Sequence, residues 1–273
     1  MFDLSTLLPL LGLLLVTSAF AGLIAGLLGV GGGIVLVPAF LFTFETLGFD
    51  SPQLMQICLA TSLATIIVTS VRSVLSHNKK GAVDWDILKT WAPGIAIGAL
   101  IGVATAARLR TDFLQALFGC LAIVIGLYFA FGGKNWRLAP AMPTGWRRAA
   151  LSPLVGFLSV LMGIGGGSFG VPTMSLCSVP MHRAVATAAG FGVLIAVPSV
   201  AAFLLVPIPA EVRPPLTIGS VNLGAFAVAI SMTLITAPMG AKLAHSVKDT
   251  TLRRSFAVFI LIVAANMLRK AFF

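Results

Sequence analysis

Acidic side chains are scarce in this chain: eight Asp and Glu among 273 residues, with all charged residues together at 10%. A water-soluble domain carries about a quarter charged residues. The shortage excludes a soluble enzyme, a disordered chain and a coiled coil. The eight acids are Asp3, Glu45, Asp50, Asp84, Asp86, Asp112, Glu211 and Asp249, and none falls near the centre of an apolar stretch. Cation pathways through membranes are usually lined by buried carboxylates, so a carrier of metal cations or polyamines is not expected. Cysteine is rare too. Cys58, Cys120 and Cys177 have neither metal-ligand spacing nor an even count, which argues against a metal site and a disulfide framework. The start, Met1-Phe2-Asp3-Leu4, lacks the basic stretch of a cleaved secretion signal. The first apolar segment is therefore expected to stay.

What the chain has in abundance is apolar surface: 58% hydrophobic residues and a mean hydropathy of +1.05. A spanning helix needs about 20 apolar residues, so this length could hold roughly eight. The 28 Gly and 15 Pro fit a membrane interior, where neighbouring helices re-satisfy freed backbone groups. The net charge of +10 comes from bases lying between apolar segments. Lipid head groups and topology account for them, and no nucleic acid is expected.

The two halves resemble each other. Gly29-Val-Gly-Gly-Gly-Ile-Val-Leu-Val-Pro38 aligns with Gly163-Ile-Gly-Gly-Gly-Ser-Phe-Gly-Val-Pro172 at an offset of 134. Ala60-Thr61 matches Ala186-Thr187, and Gly102, Ala106, Leu114 and Phe118 match Gly240, Ala244, Leu252 and Phe256. Three matches in one order indicate duplication, a mark of many transporter folds. The expected organisation is a first repeat over 1–133, a linker over 134–148 and a second repeat over 149–273.

Stretches 34–44, 149–162 and 168–179 are too short to span and suit re-entrant segments. Each glycine motif then reads as the turn of a helical hairpin, followed by three transmembrane helices. Three is odd, so the halves take inverted topology. The expected fold is all-α and polytopic, with stretch 7–28 long for a hairpin arm. On this arrangement 13 bases gather at one face and 5 at the other, against 11 and 7 for simple alternation of eight spans. The positive-inside rule favours the sharper asymmetry, with both termini outside.

The candidate site starts from Gly31, Gly32 and Gly33 and from Gly165, Gly166 and Gly167. Adjacent glycines break helices at about 1 kcal/mol each relative to Ala. At membrane depth such a break is tolerated where it lines a cavity or is buried in protein. Bare N–H groups there approach a ligand closely, and a following helix start aims positive partial charge at it. Hydroxyls add donors. Thr61, Thr65 and Thr69 fall on one helix face, beside Ser62 and Ser70, and the second half offers Thr187, Ser168 and Ser199. Gln56 and Asn222 are neutral donors. Arg72 and Arg183 carry forks that match carboxylate, sulfonate or phosphate, with snorkelling to the interface as the plain alternative. His182 suits a proton-sensitive gate or a helix-start hydrogen bond. Gly166-Gly-Ser168-Phe-Gly170 also satisfies G-x-S-x-G, but that elbow needs a strand-to-helix turn. The first half has Ile34 at the Ser168 position, so an intramembrane serine hydrolase is the minor reading and a non-enzyme the expected one.

With the paired Gly29–Pro38 and Gly163–Pro172 motifs and Ala60-Thr61-Ser62, the chain resembles the TauE/SafE family of sulfite-exporter-type permeases. The resemblance covers nearly the whole chain. It implies a bacterial-type inner-membrane carrier for small sulfur-containing anions such as sulfite, thiosulfate or sulfonates. Glycine amides, hydroxyls and an arginine without carboxylates suit an anion. The expected mechanism is alternating access around a midplane site, with an anion channel as the alternative. The expected partners are the bilayer and a small anion; assembly as a homodimer stays open. No cofactor is expected, and coupling to protons or sodium stays open.

Overall fold

A computed structural model describes residues 4–28, 32–132, 137–243 and 249–272. Gly29, Val30 and Gly31 of the first motif, Lys134 of the linker, and Ala244 and Lys248 lie outside the described residues. Helices dominate, in chain order α1 (Leu4–Leu28), α2 (Gly33–Thr46), α3 (Leu54–Asn78), α4 (Trp85–Ala106), α5 (Thr111–Phe131), α6 (Gly145–Leu161), α7 (Gly167–Leu176), α8 (Met181–Leu204), α9 (Leu223–Leu243) and α10 (Asp249–Phe272). Helix α6 begins inside the stretch read as linker. The only strands among the described residues are β1 (Thr217–Ile218) and β2 (Val221–Asn222), an antiparallel ribbon just before α9.

Local chemistry sets the boundaries. Gly32 takes a left-handed backbone (φ 74°) and caps α2, a conformation glycine adopts without steric cost. Asp84 caps α4, its Oδ1 accepting from Ile87 N at 3.2 Å. Asn222 does the same for α9, accepting from Ala225 N at 2.8 Å. Prolines 38, 93, 153, 172, 198 and 238 lie inside helices, which the packed interior of a membrane protein tolerates.

Among the described residues five helices are long and apolar enough to cross a bilayer: α3, α4, α5, α8 and Leu223–Gly240 of α9. Helix α10, at 24 residues, has comparable length. The chain is a multi-pass membrane protein. The helix pairs on either side of the glycine motifs are unequal. Helix α1 has 25 residues and α2 has 14; α6 has 17 and α7 has 10.

Helix α3 lies at the centre and is almost wholly buried over Leu54–Ile66. Its main neighbours are α8, α2 and α9; α1 packs along α9, α4 along α6, and α5 along α10. Bare glycine backbones make the crossings close. A Cβ at Gly98 would collide with the Pro153 carbonyl, one at Gly156 with the Ile95 carbonyl, and one at Gly240 with the Leu23 carbonyl. Small residues at such crossings let helices gain dispersion contact where lipid supplies no hydrophobic drive. Trp91 of α4 stacks on Phe191 of α8 with ring centroids 6.0 Å apart.

Polar contacts sort the helix termini into two ends of the bundle. At the first end, Gln56 near the start of α3 donates to Ala106 O (3.1 Å) and Leu109 O (2.6 Å) after α4. Thr111 at the start of α5 donates to Ser51 O and accepts from Met55 N. Glu45 at the end of α2 pairs there with Lys270 at the end of α10. At the second end, Arg183 of α8 meets Asp84 before α4 at 3.1 Å. Leu138 N there donates to Leu176 O at the end of α7 (2.8 Å). Helix α2 thus ends at the first end and α7 at the second.

Candidate functional site

The two glycine bends touch. A Cβ at Gly33, the first residue of α2, would collide with the Gly163 carbonyl and lie 2.9 Å from Ile164 Cα and 3.0 Å from Ser62 Oγ. Ser62 of α3 sits between the bends and donates to Gly163 O at 2.8 Å. Its oxygen, the Gly163 carbonyl and the start of α2 form one junction deep in the protein, and Ser62 and Ile164 are fully buried.

The second bend carries unused donors. Ile164 N bonds Ser159 O and Gly170 N bonds Gly166 O. Among the described residues no acceptor meets the N–H groups of Gly165, Gly166, Gly167, Ser168 or Phe169. These include the orphan amides that open α7, where the helix dipole favours negative charge. The Ser168 hydroxyl is completely buried and has no hydrogen-bond partner. A buried hydroxyl without a partner costs about 1–3 kcal/mol, so this oxygen calls for an explanation. Gly166 is pressed on α8: a Cβ there would meet Phe191 Cβ, Ala188 O (2.7 Å) and Gly192 N (2.8 Å). Ser70 Oγ of α3 and Gly166 N both border the Gly192 backbone, so α3, α7 and α8 converge here.

Hydroxyls on α3 divide by face. Thr65 donates to Thr61 O at 3.1 Å, and Thr69 to Thr65 O at 3.2 Å and Ile66 O at 3.3 Å. That stripe bonds its own helix backbone. Ser62 and Ser70, one position round, reach the two bends. The spacing of 62, 66 and 70 equals that of 61, 65 and 69, so Ser62 and Ser70, both named from the sequence, share the neighbouring face.

Thr61 and Thr187 have matching partners. Thr61 Oγ1 accepts from Asn222 N at 2.9 Å. Thr187 Oγ1 accepts from Asp84 N at 2.9 Å. Each threonine sits on the long central helix of one half and holds the capped start of a helix of the other half. Repetition of Ala-Thr was the sequence signal; Asn222 was read only as a neutral donor and Asp84 only as an acid outside the apolar stretches.

The remaining predicted residues lie apart from the bends. Gln56 laces the loop between α4 and α5 through its amide nitrogen. Arg72 and His182 are exposed. Arg183 is half-exposed and paired with Asp84. Gly31 lies outside the described residues. Cys177, at the end of α7 remote from the bend, is buried, and desolvation raises its thiol pKa.

Comparison with known proteins gives a consistent picture. The family described as sulfite exporter TauE/SafE matches residues 14–267. A probable membrane transporter protein of Haemophilus influenzae is 28% identical over 94% of this chain and 98% of its own length. Others from Methanocaldococcus jannaschii (29%, over 66% of this chain and 67% of its own) and Bacillus subtilis (30%, over 64% and 71%) carry the same description. No solved structure matches the chain.

Proposed function

Because the chain belongs to the sulfite exporter TauE/SafE family, we propose that it carries small sulfur-containing anions such as sulfite, thiosulfate or sulfonates across a bacterial-type inner membrane. The observation carrying this reading is the second bend: five N–H groups without an acceptor among the described residues, and the partnerless, buried Ser168 hydroxyl. Groups of this kind suit an oxyanion, and no carboxylate lies among the site groups named above to repel it. Amides and hydroxyls stabilise such an anion without a compensating buried charge.

Alternating access is the mechanism we infer. Exchanging α1–α5 for α6–α10 maps the packing of α1 on α9 onto that of α6 on α4, and maps α3 on α8 and α5 on α10 onto themselves. Such exchange fits two repeats related by a two-fold axis, an arrangement that inverted repeats share. The pairing of Lys270 with Glu45 supports the same topology, since it puts the ends of α2 and α10 together. At 1.5 Å per residue α2 and α7 are about 21 and 15 Å long, each well short of a bilayer. They start at the touching bends and leave by opposite ends. Rocking of one repeat on the other would open the bends to one side at a time.

Flux of labelled sulfite, thiosulfate and sulfoacetate in proteoliposomes tests this, with and without proton or sodium gradients. Saturable uptake is expected for at least one anion. Gly166→Val, whose side chain would occupy the space of Phe191 Cβ and Ala188 O, is expected to abolish it while the protein still inserts. Normal flux in that variant removes the bend from the site, and large ohmic currents would indicate a channel instead.

A further inference from the structure

The two cross-half threonine contacts close opposite ends of the bundle, and they differ in charge. In the contact at the first end every group is neutral. Asn222 Oδ1 caps α9, and its Nδ2 donates to Pro215 O (2.8 Å) and Thr217 Oγ1 (2.9 Å). One turn before Thr61 stands the buried Ile57. At the second end the cap is Asp84, and one turn before Thr187 stands Arg183. Positions 183 and 187 share a face of α8, and both reach residue 84.

Asp84 divides its work between its two oxygens. Oδ1 caps Ile87 N at 3.2 Å; Oδ2 takes the Arg183 guanidinium at 3.1 Å. Release of Arg183 therefore leaves α4 capped. The Arg183 side chain is 45% exposed and that of Asp84 21%, so solute can reach the pair. Exposed ion pairs are weak, and a dissolved oxyanion competes with the carboxylate on even chemical terms. Among the described residues the same end carries exposed Lys79, Lys80, Lys89 and Arg147, with Asp86 and Asp249 as further acids. A surface of one sign raises the local concentration of the opposite ion.

We propose that Arg183 is the group that first engages the transported anion, and that Asp84 occupies its guanidinium as a built-in surrogate until an anion displaces it. Intake is thereby assigned to the second end of the bundle, next to the Thr187 contact that closes it. This rests on the reading of the chain as an anion carrier, and extends it to a residue outside the bends.

Two measurements test it. In proteoliposome flux of labelled sulfite, Asp84→Asn keeps the cap, as Asn222 does at the other end, and frees Arg183. It is expected to lower KM several-fold at nearly constant kcat. Arg183→Gln is expected to raise KM about tenfold, the scale of one charge-assisted hydrogen bond. The double variant should match Arg183→Gln alone. An unchanged KM in either single variant overturns the assignment. The second readout needs no transport. Trp85 adjoins Asp84, is exposed, and donates from Nε1 to Asn78 Oδ1 at 2.9 Å. With Trp91, Trp136 and Trp146 changed to Phe, sodium sulfite is expected to shift Trp85 emission relative to sodium chloride of equal ionic strength. Arg183→Gln should erase the shift. A Trp85 response that depends on Arg183, with no sulfite flux in any variant, upholds the recruitment and defeats the carrier reading. Flux without such a response upholds the carrier and defeats the recruitment.

Discussion

The first and second glycine bends share a motif but do different things. At the first, Gly32 turns through a left-handed backbone and Gly33 is driven against the other bend's carbonyl, while the next residue, Ile34, is fully buried and apolar. At the second, Gly166 has an ordinary helical backbone, and the residue aligned with Ile34 is the partnerless Ser168. One bend is a wedge; the other carries a buried hydroxyl without a partner. The same drift separates α3 from α8. Thr61, Ser62, Thr65, Thr69 and Ser70 align with Thr187, Ala188, Phe191, Ile195 and Ala196. Only the threonine that bonds across the halves persists. The two motifs thus match in their glycines and prolines and differ in the polarity of the side chain that follows, Ile34 against Ser168.

The wedge is the place to break the comparison hardest. Gly33→Ala puts a methyl into the Gly163 carbonyl and within 3.0 Å of Ser62 Oγ. Backbone atoms cannot yield there as the end of a flexible side chain can. The bends must separate, and sulfite flux is expected to fall at least about 100-fold, the scale of a 1 Å misplacement at a functional centre. Melting of the solubilised protein should drop as well. Flux within twofold of wild type would show that the contact of the bends is incidental.

The threonine contacts sharpen the comparison at intermediate scale. Thr61→Val and Thr187→Val each remove the acceptor of a backbone N–H. Leaving a buried donor unmet costs about 1–3 kcal/mol. Asn222 is nearly fully buried, whereas Asp84 is partly exposed and water can replace the lost hydroxyl. Thr61→Val is therefore expected to lower the melting temperature more than Thr187→Val. Equal losses would mean that the two ends are sealed from water alike, against the charge and exposure differences described above.

The helix starts after the glycine motifs and the short helices α2 and α7 were legible in the sequence, because Gly-Gly-Gly and the following proline restrict the backbone locally. The membrane class was legible in the scarcity of charge. Helix faces were less so. Thr65 and Thr69 satisfy their hydroxyls on their own helix, and in sequence they look no different from Ser62, which bonds a carbonyl 101 residues away. Nor does a sequence show where an arginine's carboxylate lies. Arg183 finds Asp84, 99 residues earlier, only because the starts of α4 and α8 meet at one end. Arg72 and His182 had the right chemistry for an anion, yet helix phase and depth leave them at the surface. Pattern fixes what a segment can do; which neighbour it meets depends on how the halves interlock.

The smallest expected effect on stability separates function from packing most cleanly. Ser168→Ala deletes a buried oxygen that bonds nothing and leaves the glycine bend untouched. Removing an unmet polar atom relieves a desolvation cost, so melting of the solubilised protein is expected to stay the same or rise by a few degrees. If the hydroxyl serves a bound anion, sulfite affinity should fall in the same variant, by about tenfold for one hydrogen bond to a charged group. The reciprocal change, Ile34→Ser, places a hydroxyl in the apolar wedge and should lower stability without improving affinity. A Ser168→Ala protein that melts earlier and transports normally would reverse the assignment: the oxygen would then belong to the packing of α7, and the two bends would be functionally alike after all.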